Sequence, residues 1–377
     1  MIRTKGPEKS QKMIDDVTHS DPAPDASPER ISRSERLLNA IAPFARVVVV
    51  SHVNPDPDSL ASMLGIKALV ETRQPGKPVL LTLDGMIARA ENRAMAELIP
   101  VPLVPVDRVT IDRDTAVVMV DTQPYTGRRQ SEAAMPQVII DHHETGGELG
   151  DARFTDIRIH MGATSTMVTG YLMEQRVVVP PALATALLYG IESETSGYPR
   201  EAGSLDDGAL IWLYPRADKD LLAQIRNPRL PQSHFATFQT ALVNAFIYQD
   251  LIVTWCGTVS QPDIIAEIAD FFIRFEKVSW VLAVGSFEGW MKLSLRAGIL
   301  GGQAGIVLHK VVENLERGGN AGGHDRRAGG AIPLSGKPGE STDDLLKAIR
   351  GSLLHELNID EQQGHRILKP CPTIAAP

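Results

Sequence analysis

Val47-Val48-Val49-Val50-Ser51-His52-Val53-Asn54-Pro55-Asp56-Pro57-Asp58-Ser59 is the stretch that decides how this chain folds. Four β-branched residues in a row show no polar alternation. They read as a strand covered on both faces, the form a strand takes inside a parallel sheet. A turn rich in Pro and Asp follows and leads into an apolar helix expected over 59–72. Outward from this point the pattern recurs. Val79-Leu80-Leu81, Ala116-Val117-Val118-Met119-Val120 and Val138-Ile139-Ile140 are further continuous aliphatic runs. Helices are expected over 163–175 and 182–191, the second opened by Pro180-Pro181. Strand, helix, strand in this order predicts an α/β protein whose N-terminal domain is a doubly wound, mainly parallel sheet.

The flanking segments suggest boundaries. Residues 1–34 are rich in Asp, Pro, Ser, Lys and Glu and hold no aromatic residue, so they read as a flexible tail before a catalytic domain over 35–200. Residues 201–247 are helical and broken by Asn227-Pro228 and Leu230-Pro231, which suggests a linker. A second, smaller α/β unit is expected over 248–357, with a helix over 263–275, strands over 279–285 and 290–296, and a helix over 304–317. It closes with Gly318-Gly319-Asn320-Ala321-Gly322-Gly323-His324 and Ala328-Gly329-Gly330-Ala331-Ile332, and residues 358–377 read as a second flexible tail.

Composition bounds the function. With 377 residues, 43% of them apolar, the chain can bury two ordinary cores. A formal net charge of -8 offers no global basic field for a long duplex, so any nucleic-acid partner should be short or held by a local basic patch. Cys256 and Cys371 are too few for a disulfide framework or a thiolate zinc site. No apolar signal core or membrane-length stretch occurs in the sequence, which predicts a soluble, cytoplasmic protein with no membrane partner.

The chemistry is concentrated at strand ends. The first run delivers His52, Asp56 and Asp58, the third ends in Asp121, and the fourth ends in Asp141-His142-His143. In an open parallel sheet the carboxyl ends of the strands border the ligand crevice. So many carboxylates in one place repel one another and lose hydration unless cations neutralise them. Carboxylates with a minority of imidazoles suit two divalent ions, manganese first and magnesium second. Two such ions about 3.5–4 Å apart activate water for attack at phosphorus. Each residue taken singly has an ordinary reading: Asp121 as a turn or cap residue, Asp58-Ser59 as a helix cap, Asp56 as a turn former. Three strands ending this way together favour a metal site.

These residues resemble the motifs of the DHH phosphoesterase family. His52 to Asp58 resembles the first motif, Asp121 the second, Asp141-His142-His143 the third, and Gly190-Ile191-Glu192-Ser193-Glu194-Thr195 the fourth. Gly162-Ala163-Thr164-Ser165-Thr166 is similar to a helix start found in the nanoRNase-like members. Ser294-Leu295-Arg296 and Gly322-Gly323-His324 with Ala328-Gly329-Gly330 resemble the DHH-associated substrate-binding domain. The resemblance implies that His52, Asp56 and Asp121 hold one metal and that Asp58, Asp121, His142 and Glu194 hold the other, with Asp121 bridging. It implies that Asp141 orients an imidazole and that His143 donates to the substrate phosphate. It places Arg296 and His324 on the substrate's terminal phosphate or base, with Gly322 and Gly323 shaping the loop. By itself that glycine loop reads first as a turn closing a helix; together with Arg296 and the first domain it reads as an anion-binding nest.

One position departs from the family: the fourth motif usually supplies Asp, and here it is Glu194, with Glu192 a rival. The resemblance implies a metal-dependent phosphoesterase acting on short single-stranded oligonucleotides or small nucleotides, as nanoRNases and 3′-phosphoadenosine 5′-phosphate phosphatases do. The length leaves little room for the further domain of RecJ-like exonucleases, and the membrane and sensory domains of cyclic-dinucleotide phosphodiesterases are not visible. The competing readings are an inorganic pyrophosphatase-like hydrolase and a non-catalytic nucleotide-binding protein weakened by Glu194. A homodimer stays open.

Overall fold

The computed structural model describes residues 31–124, 135–145, 147–195, 202–298, 301–323, 325–334, 341–360 and 363–368. The chain begins with α1 (Arg33–Ile41), β1 (Arg46–Val50), α2 (Pro57–Arg73), β2 (Val79–Leu83), α3 (Ala90–Leu98) and β3 (Leu103–Pro105). It continues through β4 (Thr115–Val120), β5 (Val138–Asp141), β6 (Phe154–Ile157), α4 (Thr164–Glu174), α5 (Pro181–Thr195), α6 (Ser204–Leu213) and α7 (Lys219–Arg226). The first sheet runs β3-β2-β1-β4-β5-β6 with every pair parallel, as the aliphatic runs predict. Val47 to Val50 and Ala116 to Val120 are buried throughout, because helices cover one face of this sheet and residues such as Val109 and Ile111 the other.

That strand order fixes where the site falls. The chain steps outward from β1 to β2 and β3, then returns to place β4 on the other side of β1. Adjacent loops leaving β1 and β4 therefore part in opposite directions and open the crevice expected at such a switch point. His52 follows β1 and Asp121 follows β4.

Helix α2 starts differently from expectation. Its cap is Asp56, whose carboxylate accepts from the Ser59 amide at 3.0 Å, and Pro57 occupies the first turn. Pro suits that position because its fixed φ matches the helix and its missing N–H would have no partner there. Asp58 is thereby freed from capping its own helix and points inward, fully buried.

The second half comprises α8 (Gln232–Val243), β7 (Phe246–Tyr248), β8 (Leu251–Thr258), α9 (Asp263–Phe272), β9 (Trp280–Phe287), β10 (Trp290–Ala297) and α10 (Ala304–Glu313). It ends with β11 (Asn320–Gly323), β12 (Arg327–Pro333), α11 (Thr342–Glu356) and β13 (His365–Arg366). Its sheet runs β11-β12-β10-β9-β8-β7-β13, antiparallel except for the parallel pair β8 and β9. One apolar cluster lies on each face, with α10 and α11 on one side and α8 and α9 on the other.

The segment expected as a linker is divided between these cores. Ala209, Leu213, Leu222 and Ile225 of α6 and α7 pack into the first domain, while Ala241 of α8 packs into the second. Amphipathic helices with apolar stripes bury them wherever a core is within reach, so Pro-containing breaks mark turns here rather than a free connection. Part of the expected C-terminal tail is likewise built in: Ile359 is buried and β13 pairs with β7. Among the described residues, no helix is long and apolar enough to cross a membrane.

Candidate metal centre

Asp121 is the hub. It terminates β4 with φ of +57°, a left-handed conformation that costs a non-glycine residue roughly 1–3 kcal/mol and needs its surroundings to hold it. Its amide donates to Ile140 O at 2.9 Å, which ties it to β5. The two carboxylate oxygens face opposite ways. Oδ2 lies 3.4 Å from His52 Nε2, while Oδ1 lies 3.5 Å from His142 Nε2. The hydroxyls of Ser59 and Thr164 donate to Oδ2 and Oδ1 at 2.6 and 3.3 Å and lock this orientation.

The imidazoles are aimed by their other nitrogens. His52 Nδ1 donates to Val53 O at 2.9 Å, and His142 Nδ1 donates to Met161 O at 3.2 Å, which leaves each Nε2 facing the carboxylates. His143 Nδ1 donates to Asp141 Oδ1 at 2.8 Å. The imidazole that Asp141 contacts is therefore His143. The position of Asp141 is set by the amides of His142 and His143 and by Gln123 Nε2 at 2.8 Å.

Asp58 approaches His142 Nε2 at 3.9 Å while its two oxygens accept from the Thr164 and Ser165 amides at 2.8 and 2.6 Å. It therefore also caps α4, whose own cap residue, Ala163, has no side chain for the task. Glu194 sits four residues after Gly190 on α5. A Cβ on Gly190 would lie 2.6 Å from Ser165 Oγ and 3.1 Å from Pro57 O, so α5 crosses the start of α2 in close contact. Residues four apart share a helix face, which brings Glu194 to the cavity beside His52, Asp56, Asp121 and His143. Glu192, the rival, is turned away and forms a two-pronged ion pair with Arg226 of α7.

Electrostatics argue for cations. Burial pulls the His52 imidazole down, yet its hydrogen bonds and charge interactions with Asp121 and Asp56 push it up to about 11. Burial raises Asp121, and the hydrogen bond and charge of His52 with the charges of His143 and His142 overcome this to hold it well below the carboxylate range. Asp58 goes the other way: burial first, then repulsion from Asp121, Asp56 and Glu194, keep it well above its ordinary value. Without a cation one carboxylate of the group must retain a proton, and a divalent ion removes that need. Ligand atoms of His52, Asp56 and Asp121 lie within 4.8 Å of one another, as do those of Asp121, His142 and His143. The donor set fits metal, and Asp121 belongs to both groups.

These motifs have counterparts elsewhere. Residues 46–191 match the N-terminal domain model of the DHH family. The chain belongs to the DHH family. An uncharacterized protein of Methanocaldococcus jannaschii is 30% identical over 85% of this chain and 66% of its own length. Cyclic-di-AMP phosphodiesterase GdpP of Geobacillus thermodenitrificans is 30% identical over 51% of this chain and 31% of that protein. The probable bifunctional oligoribonuclease and PAP phosphatase NrnA of Streptococcus mutans is 22% identical over 57% of this chain and 65% of its own. The chain thus spans about two thirds or less of the length of these relatives. An exopolyphosphatase-related protein from Bacteroides fragilis shares the fold, with a TM-score of 0.69 at 16% identity, covering 89% of this chain and all of that one.

The second domain closes a cavity of about 920 Å³ over the DHH residues. Arg296, Gly322 and Gly323 line it, and His324 lies outside the described residues. Two expectations change. Gly322 and Gly323 form neither a turn nor a nest: they are extended strand, paired with Gly329 and Ala328 of β12. A Cβ on Gly323 would lie 2.2 Å from Arg327 O and one on Gly305 2.5 Å from Gly323 O, so α10 begins almost on the strand backbone, whereas Gly322 has open space around it. Arg296 is also less open than expected, since Nε donates to Asp270 and Nη1 to Ser294 Oγ at 2.9 Å and Leu295 O at 3.2 Å. Sequence reading took Ser59 only as part of a helix cap and missed Gln123, three residues past the end of β4, together with Arg89 and Asp270. Arg89 and Asp270 lie away from the strand-end clusters, so no local signal marks them.

Proposed function

We propose that this chain is a metal-dependent phosphoesterase that hydrolyses phosphate esters of small nucleotides or very short oligonucleotides, with manganese as the preferred ion and magnesium as a weaker substitute. The observation that carries this reading is Asp121, whose two oxygens face separate His and Asp groups as a bridging carboxylate must. His52, Asp56 and Asp121 would hold one ion, and Asp58, Asp121, His142 and Glu194 the other. The chemistry such a pair supplies is Lewis acidity toward phosphoryl oxygens and a water acidified toward neutrality.

The chain's own groups do the rest. His143, held through Nδ1 by Asp141, would donate from its other ring nitrogen to a phosphoryl oxygen when the imidazole carries both protons. Burial of Asp121 and His142 excludes bulk water from beneath the reacting phosphate. A cavity of about 920 Å³ is at the upper end of small-molecule pockets, which favours one or two nucleotides over a long strand. GdpP and NrnA, named for nucleotide phosphoesters, support the substrate class.

The test is a parallel assay of a diribonucleotide, 3′-phosphoadenosine 5′-phosphate, cyclic-di-AMP and pyrophosphate, with manganese and after chelation. Manganese-dependent hydrolysis of at least one nucleotide ester is expected. Turnover of pyrophosphate alone would replace this reading with a pyrophosphatase, and no turnover of any would leave a nucleotide-binding protein.

A further inference from the structure

Asp270 of α9 stands where the two domains meet, behind the cavity wall. Its Oδ2 accepts from Nη2 of Arg89 at 3.3 Å, and its Oδ1 accepts from Nε of Arg296. One carboxylate therefore aligns a guanidinium from each domain: Arg89 immediately precedes α3 of the first, and Arg296 lies on β10 of the second. Both arginines line the cavity that contains Asp121 and Glu194, whereas Asp270 is not part of its lining. Lys292, Arg326 and Arg327 of the second domain also line the cavity, together with the acidic Asp263 and Asp325. A chain of net charge -8 has thus placed five cations around this cavity.

A guanidinium is a planar fork of five donors, and bracing one edge by a carboxylate fixes the plane in which the remaining donors lie. Two such forks held by a shared brace suit a tetrahedral anion approached from two sides. We infer that Arg89 and Arg296 form a two-armed anion site that grips a phosphate of the nucleotide other than the one hydrolysed, and that Asp270 is its positioning residue. The inference rests on the nucleotide reading proposed above. It adds a residue of the catalytic domain to substrate recognition and makes the grip depend on both domains together. The competing role for Arg89 and Asp270 is a plain interdomain latch.

Calorimetric titration of the full manganese-loaded chain with adenosine 5′-monophosphate and with adenosine separates these. Arg89→Ala should weaken the monophosphate by about tenfold, the loss of a charge-assisted hydrogen bond, and leave adenosine within about twofold. Arg89→Lys, which keeps the charge without the fork, should fall between. Asp270→Asn should lower the ratio of the two affinities by about threefold, through loss of alignment rather than of charge. Equal weakening of both probes in Arg89→Ala would establish the latch and overturn the anion site. So would a wild-type protein that binds the monophosphate no better than adenosine. An unchanged or higher ratio in Asp270→Asn would remove Asp270 as the brace. The expected binding pattern in a protein that hydrolyses no phosphoester would sink the proposed activity and leave the anion site standing, whereas hydrolysis with an unaltered ratio in Arg89→Ala would do the reverse.

Discussion

Asp121 Oδ1 lies 3.5 Å from His142 Nε2 across the boundary between β4 and β5, while the other oxygen of the same carboxylate faces His52 on β1. One side chain thereby joins the ends of three neighbouring strands.

Asp121→Asn should lower turnover by more than roughly 100-fold, the upper end of what loss of a group merely supporting a metal costs. The fold should survive, because Asn tolerates the left-handed backbone at this position. Loss of the charge that His52, His143 and His142 stabilise should lower the melting temperature of the metal-free variant below that of metal-free wild type while leaving a single cooperative transition. A folded variant with near-normal turnover would move the bridge to another residue.

Glu194→Gln should abolish most activity and reduce the number of tightly bound ions, since it removes a charge that lines the metal cavity. Glu192→Gln should leave metal content unchanged and cost only about 0.2–1 kcal/mol of stability, as expected when a partly exposed ion pair with Arg226 is lost. Metal analysis of the two variants decides between them, and the opposite pattern would shift the fourth motif by two residues.

Metal uptake should release protons. In the metal-free protein at neutral pH, His52 is protonated because it is pushed up to about 11, and burial with repulsion from Asp121, Asp56 and Glu194 shifts Asp58 upward as well. His52 must deprotonate to bind an ion, so apparent affinity rises as pH rises. Titrations between about pH 6 and pH 8 in buffers of different ionisation enthalpy measure this, and a pH-independent affinity would contradict it.

Glu267, on α9 at the interdomain surface, is raised to about 7 by burial and by repulsion from Glu91. Its folded value lies above the unfolded one, so its contribution is fully present below about pH 4.5 and is lost as pH rises through 7. Glu267→Gln cannot ionise and escapes that loss. The difference in melting temperature, variant minus wild type, should therefore grow from pH 5 to pH 8. A constant difference would mean that Glu267 ionises without cost.

Asp206 is fully buried and accepts from the Gly162 and Gly203 amides at 2.9 and 2.8 Å and from the Thr166 hydroxyl. Asp206→Ala strands these donors and should destabilise the protein by about 2–4 kcal/mol, read as a shift of the denaturant midpoint. A loss under about 1 kcal/mol would mean that water replaces the carboxylate.

The first domain of this protein was legible because its signals are local. A strand buried on both faces must be aliphatic along its whole length, and the turn at its carboxyl end is built from the residues next in the chain. The runs of β1, β4 and β5 therefore announced both themselves and His52, Asp121 and His142. The spacing from Gly190 on α5 brought Glu194 and its rival Glu192 into view without choosing between them.

Other features depend on residues far apart in sequence, and only the tertiary structure decided them. Whether Glu192 or Glu194 lines the cavity depended on Arg226, 34 residues beyond Glu192, which captures Glu192. The capping of α4 by Asp58 spans 106 residues, and the Arg89–Asp270–Arg296 bridge joins two domains. The strand state of Gly322 and Gly323 was set by their pairing with β12 and the close approach of α10. Sequence alone determined the doubly wound sheet and the residues at its strand ends, since hydrophobic burial and metal chemistry restrict side chains where they stand. Tertiary structure decided which carboxylate serves which partner, since an ion pair or a cap is chosen by what folding brings within about 3 Å.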